Sequence, residues 1–213
     1  MTPIILFVLA ALALLLIPGP AVLYIVSQGA SQGRRGGLAS VGGIELAGLT
    51  HAVAAAFGLS AILLSSALAF DIVKYAGAVY LVLLGLHTIF LKRDTNPVAI
   101  GPVASRTSST KLLVHGYFVN LLNPKTALFF YAFLPQFIVP SEGGIIEQFL
   151  ALGVLFVALA SCTDSMYALT SSAAGEWLSH RTGLLKTQKY VTGCTYILLG
   201  FFAATTSAGS RAK

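Results

Sequence analysis

Long apolar runs, broken at a few charged, glycine or proline positions, dominate the chain and predict six membrane-spanning helices. The first run extends from Ile4 to Ile25 without a charge, and the second from Val41 to Leu64 with Glu45 as its acid. Ile72 to Leu91 gives the third, Leu112 to Leu134 the fourth, Phe149 to Ser172 the fifth, and Tyr190 to Thr206 the sixth and shortest. The runs are continuous rather than alternating, which selects helices over barrel strands. Between the third and fourth, Thr95 to Thr110 is rich in Ser, Thr, Pro and Gly and reads as a flexible connection between two halves of three helices each. An odd number of crossings per half orients the halves oppositely. The expected fold is an all-α membrane protein forming a single transmembrane domain over residues 1–213, with repeat one over about 1–94 and repeat two over about 111–213.

Composition narrows the class further. Hydrophobic residues make up 56% of the chain and charged residues 9%, against about 25% charged in soluble domains. Such a sequence cannot clothe a globular surface in water, which excludes a soluble enzyme, a disordered tail and a disulfide-stapled module. The first run lacks a preceding basic residue and is long enough to span, so a retained helix is expected rather than a cleaved signal peptide. The net charge of +6 sits in short loops, without the basic and aromatic surface that nucleic acid would need. The loops after runs one, three and five carry Arg34 and Arg35; Lys92, Arg93, Arg106 and Lys111; and Arg181, Lys186 and Lys189. The other side has Lys74, Arg211 and Lys213. That bias predicts the basic loops in the cytoplasm and both termini outside.

The halves share sequence features. Run three contains Gly77-Ala-Val-Tyr80-Leu-Val-Leu-Leu-Gly85, and run six contains Gly193-Cys-Thr-Tyr196-Ile-Leu-Leu-Gly200. Runs one and four are each interrupted at proline, by Pro18-Gly19-Pro20 and by Asn123-Pro124-Lys125. Proline cannot donate to the helix ladder and pushes the preceding residue out of helical angles, so Gly19 and Asn123 are expected discontinuities. Asn123 is also a good N-cap with Pro124 at the first helical position, a start signal that Gly19-Pro20 repeats more weakly. Paired breaks in inverted halves are the sequence mark of a secondary transporter whose site lies at the repeat interface. Helix starts there would favour a carboxylate.

Lys125 falls about 20 Å along the fourth run, too deep to dismiss as an end residue, and Asp164 about 22 Å along the fifth. Asp164 belongs to a small polar stripe with Ser161, Ser165, Ala168, Ser171 and Ser172, and is open to purely structural hydrogen bonding, to pairing with a substrate ammonium or with Lys125, or to carrying a proton. Glu45 near the start of the second run is open to a helix-dipole role or a proton-relay role. His51, about 15 Å in, is open to interhelical hydrogen bonding or to the relay, and lies about 120° around the helix from Glu45. Cys162 and Cys194 form no CxxC and read as buried small residues, not a disulfide or metal site. Gly29-Ala-Ser31-Gln-Gly33 matches a hydrolase elbow in letters, but it follows a membrane run rather than a strand. No metal-hydrolase, Walker or dinucleotide motif is present, so no cofactor is expected and energy must come from a gradient or a partner.

These residues resemble the lysine-exporter (LysE/RhtB) family of bacterial amino-acid exporters. The resemblance is carried by Ile17-Pro-Gly-Pro20, by Ser31-Gln-Gly-Arg-Arg35, by Gly77 to Gly85, and above all by Asn120-Leu-Leu-Asn-Pro-Lys125 running into Phe133-Leu-Pro-Gln-Phe137. It implies an inner-membrane exporter of amino acids or related metabolites that exchanges substrate for protons, with Gly19, Pro20, Asn123, Pro124, Lys125 and Asp164 as core or substrate-site residues. A homo-oligomer is open on this reading. A metal-ion exporter of similar plan and, further off, a membrane-embedded enzyme are the alternatives.

Overall fold

The computed structural model describes residues 2–90 and 107–173, together with Cys194, Ile197, Leu198 and Phe201. Most of the predicted sixth span and of the connection between the halves lies outside the described residues. Within them the order is α1 (Thr2–Leu15), α2 (Pro20–Ser65), α3 (Ala67–Phe90), α4 (Ser109–Leu121), α5 (Pro124–Leu128) and α6 (Ile145–Ala173). A π-helical turn, Phe129–Phe133, and 3-10 turns at Leu134–Phe137 and Pro140–Glu142 join α5 to α6.

The first predicted span corresponds to α1 plus the start of α2, and the break falls where the prolines put it. Pro20 sits in the first turn of α2 with Gly19 as its N-cap. The chain then departs from the expected loop around Arg34 and Arg35, which are helical and exposed. The reversal is made by one residue, Gly33, at φ 72° and ψ −168°, a region open essentially to glycine alone. It divides α2 into an arm over 20–32 and an arm over 34–65. A methyl added to Gly37 would lie 3.2 Å from the Gly29 Cα, whereas eight residues of straight helix span about 12 Å. The arms therefore fold back against each other.

Small residues set how closely the helices approach. The same methyl on Gly37 would lie 3.0 Å from the Ala168 side chain of α6. One on Gly116 of α4 would lie 2.6 Å from the Ser40 carbonyl of α2. α2 is thus the central element, packed against α4 and α6. The buried face of α6 follows Phe149, Gly153, Phe156, Ala160, Asp164, Ala168 and Ser171, a stripe at helical spacing. Phe7, Phe129, Phe130, Phe133, Phe149 and Phe156 fill the neighbouring core.

Outward-facing positions include Leu9, Phe57, Leu68, Leu83, Phe90, Phe118 and Met166, a surface suited to lipid rather than water. Among the described residues, two segments, Pro20–Ile62 and Ile145–Ala173, are long and apolar enough to cross a membrane, and Ile4–Leu15 is a shorter apolar helix. Cys162 and Cys194 are exposed, against the expectation of buried small residues. The buried stripe of α6 runs through Ala160, Thr163 and Asp164 and leaves Cys162 on the outer side.

Candidate functional site

The two proline breaks meet. At the first, α1 ends at Leu15 and the chain runs irregularly until Pro20. At the second, Asn123 caps α5, its Oδ1 accepting from the Lys125 amide at 3.1 Å. Lys125 then reaches across to the first break, where its Nζ donates to the Ile17 carbonyl at 2.6 Å. Gly19 makes room for the crossing, because a methyl there would lie 3.1 Å from the Lys125 Cδ. Lys125 is only 7% exposed and so does not snorkel to an interface.

Around this bridge lies a cavity of about 40 Å³ whose lining includes Gly19, Glu45, Asn120, Asn123, Lys125 and Asp164. The lining comes from the end of α1, the first break, both arms of α2, the end of α4, the second break, the start of α5, and α6. Asp164 is 4% exposed and interacts electrostatically with Lys125. The Glu45 carboxyl lies on the same cavity and interacts electrostatically with that of Asp164, and its Oε1 is buried without a hydrogen-bond partner. The site therefore sets one ammonium beside two carboxyl groups.

Of the sequence-predicted residues, Gly19, Asn123, Lys125, Asp164 and Glu45 line this cavity, whereas Pro20, Pro124 and His51 do not. Pro20 and Pro124 occupy the first turns of α2 and α5 and act on the backbone. His51 is 4% exposed, with Nδ1 3.0 Å from the Tyr131 hydroxyl and Nε2 3.4 Å from the Asn120 carbonyl. The two helix starts also differ. Gly19 supplies no side-chain cap, leaving the first turn of α2 open, whereas the Asn123 side chain already serves the first turn of α5.

The family described as LysE type translocator matches residues 12–207. The chain belongs to this family. Relatives align along nearly their whole lengths. An uncharacterized membrane protein of Vibrio cholerae is 30% identical over 202 residues, covering 95% of this chain and 96% of the relative. A homoserine/homoserine lactone efflux protein of Salmonella typhimurium is 30% identical over 198 residues, 93% of this chain and 94% of its own. A leucine efflux protein of Klebsiella pneumoniae is 25% identical over 200 residues, 92% and 91% respectively. No solved structure matches.

In this LysE type translocator the residue the sequence reading missed is Asn120. Its Nδ2 donates to the Ile44 carbonyl at 2.8 Å, and its Oδ1 accepts from Thr126 Oγ1 at 2.7 Å and from Asn123 Nδ2 at 3.3 Å. One side chain thereby ties α2 to both sides of the second break. A signal was present, since Asn120 stands four residues before Pro124 and its carbonyl loses its helical donor there.

Proposed function

We propose that this protein is a secondary active exporter of amino acids or related small metabolites in the bacterial inner membrane, driven by proton entry. The observation that carries the reading is the Lys125 bridge between the two breaks, beside the Glu45 and Asp164 carboxyl groups in one buried cavity. A zwitterion matches that charge arrangement. Its carboxylate lies at Lys125 and the open start of α2 at Gly19-Pro20, next to Asn123-Pro124, and its ammonium lies at Asp164. On this reading Glu45 and Asp164 carry the exchanged proton, because an arriving ammonium supplies the same positive charge. The relatives named for homoserine and leucine efflux support a neutral amino acid over a metal ion.

A cavity of about 40 Å³ holds about three waters at about 10–15 Å³ each, less than an amino acid requires. On this reading the site is closed and must widen to either side in turn. The proposed frame is the six-helix one, with two inverted three-helix repeats and external termini.

Overproduction should lower internal amino-acid levels and confer tolerance of toxic amino-acid analogues, and a proton uncoupler should abolish both effects. An unchanged amino-acid and dipeptide panel together with raised divalent-metal tolerance would transfer the assignment to an ion exporter. Orientation has its own test. Single cysteines at Ser109, the start of α4, and at Ser141, in the 3-10 turn before α6, should label from the cytoplasmic and external sides respectively. The reverse pattern refutes the orientation.

A further inference from the structure

Each proline break strips one carbonyl of its helical donor, the one four residues before the proline. These are Leu16 for Pro20 and Asn120 for Pro124. Inside a membrane such a carbonyl needs a substitute partner. The Asn120 carbonyl takes the Asn123 amide at 3.1 Å and has a second lone pair to offer, and at both breaks a side chain from a different helix also reaches the carbonyl. The Tyr167 hydroxyl of α6 donates to the Leu16 carbonyl at 2.9 Å, and the imidazole of His51 in α2 meets the Asn120 carbonyl at 3.4 Å. A carbonyl only accepts, so His51 Nε2 carries the hydrogen, and Nδ1 pairs with the Tyr131 hydroxyl at 3.0 Å. The ring also stacks on Phe130, with centroids 5.9 Å apart at 18°. Both nitrogens of His51 are thus engaged within the protein, outside the cavity.

We propose that Tyr167 and His51 are matched positioning residues, each fixing one proline break so that Lys125 and the cavity carboxyl groups face each other. The inference rests on the exporter reading for its functional consequence. It gives His51 a fixed hydrogen-bonding role in place of a proton relay.

Two dipeptides make the geometry measurable. Leu16-Ile17 and Asn120-Leu121 each occur once in the chain, so carbonyl-13C and amide-15N pair labelling isolates each carbonyl by NMR. In the full-length protein, Tyr167→Phe should shift the Leu16 signal and leave that of Asn120, and His51→Phe should do the reverse. Phenylalanine keeps an aromatic ring at each place. In everted vesicles with radiolabelled leucine and homoserine, both variants should raise the half-saturation concentration about five- to tenfold, with the maximal rate per inserted protein retained. His51→Gln restores an N–H donor and should recover most of the loss.

The inference is overturned if neither carbonyl responds to its own variant, or if only the maximal rate falls. For His51 it is also overturned if His51→Gln behaves as His51→Phe and loses substrate-driven proton movement. If the unaltered protein moves neither probe, the exporter reading fails while the carbonyl signals still decide the positioning geometry.

Discussion

Lys125→Met should lower amino-acid export about ten- to hundredfold while leaving membrane insertion intact, and Asp164→Asn should do the same. The magnitude follows from removing one charge-assisted contact, which costs about 1.5 to 3 kcal/mol. Methionine approximates the lysine stem in length, and asparagine keeps the aspartate shape, so neither change opens a large void. The double variant separates two accounts. If Lys125 and Asp164 served only to neutralise each other, losing both charges together would restore much of what either single loss removes. The structure argues for the other outcome, because the Lys125 ammonium donates to Ile17 and Asp164 also interacts electrostatically with Glu45. Transport by the double variant should therefore stay at or below the weaker single variant. Recovery with normally inserted protein would withdraw both residues from the substrate site.

Both breaks were legible in the sequence because proline and its cap act within a few residues. Pro20 after Gly19 and Pro124 after Asn123 each announce a stop and a restart, and the structure has both. Lys125 and Asp164 were legible for a different reason: a charge deep in an apolar run needs a partner wherever it sits. Glu45 was harder. Its apparent place near a helix start rested on a boundary at Val41, but the arm begins at residue 34, so Glu45 lies well inside the helix and its electrostatic interaction is across to α6. No single-helix spacing contains that interaction. The Gly33 reversal was hidden too, because Gly-Arg-Arg-Gly-Gly looks the same in a loop as in a pair of helix ends, and only the backbone angle at one glycine decides. Tyr167 gave no signal at all. A tyrosine in an apolar helix is unremarkable until the orphaned Leu16 carbonyl is found 2.9 Å from its hydroxyl.

Gly42 and Gly43 are neighbours in the second arm of α2, yet alanine at the two positions should have opposite consequences. A methyl on Gly42 would meet only the Leu113 Cδ1, at 3.9 Å, an ordinary contact. A methyl on Gly43 would collide with the Leu113 carbonyl and would lie 2.8 Å from the Tyr117 amide nitrogen, both part of the α4 backbone. A flexible side chain can move aside at small cost, but a helix backbone can yield only by shifting the whole helix. Overpacking costs about 1–3 kcal/mol when side chains give way, and here the cost should reach or pass about 3 kcal/mol. Gly42→Ala should instead be neutral or slightly stabilising, since alanine is favoured over glycine in helices by up to about 1 kcal/mol. Thermal unfolding of the detergent-purified protein measures both. The displacement also has a functional reach, because α4 carries Asn120, whose amide holds the Ile44 carbonyl just beyond Gly43. Moving α4 away from α2 would stretch that bond and, through Asn123, the break on which Lys125 depends. Gly43→Ala should therefore lose transport even at temperatures where the protein remains folded, whereas Gly42→Ala should export normally. Equal stability and equal transport for the two variants would show that α2 and α4 do not meet at Gly43.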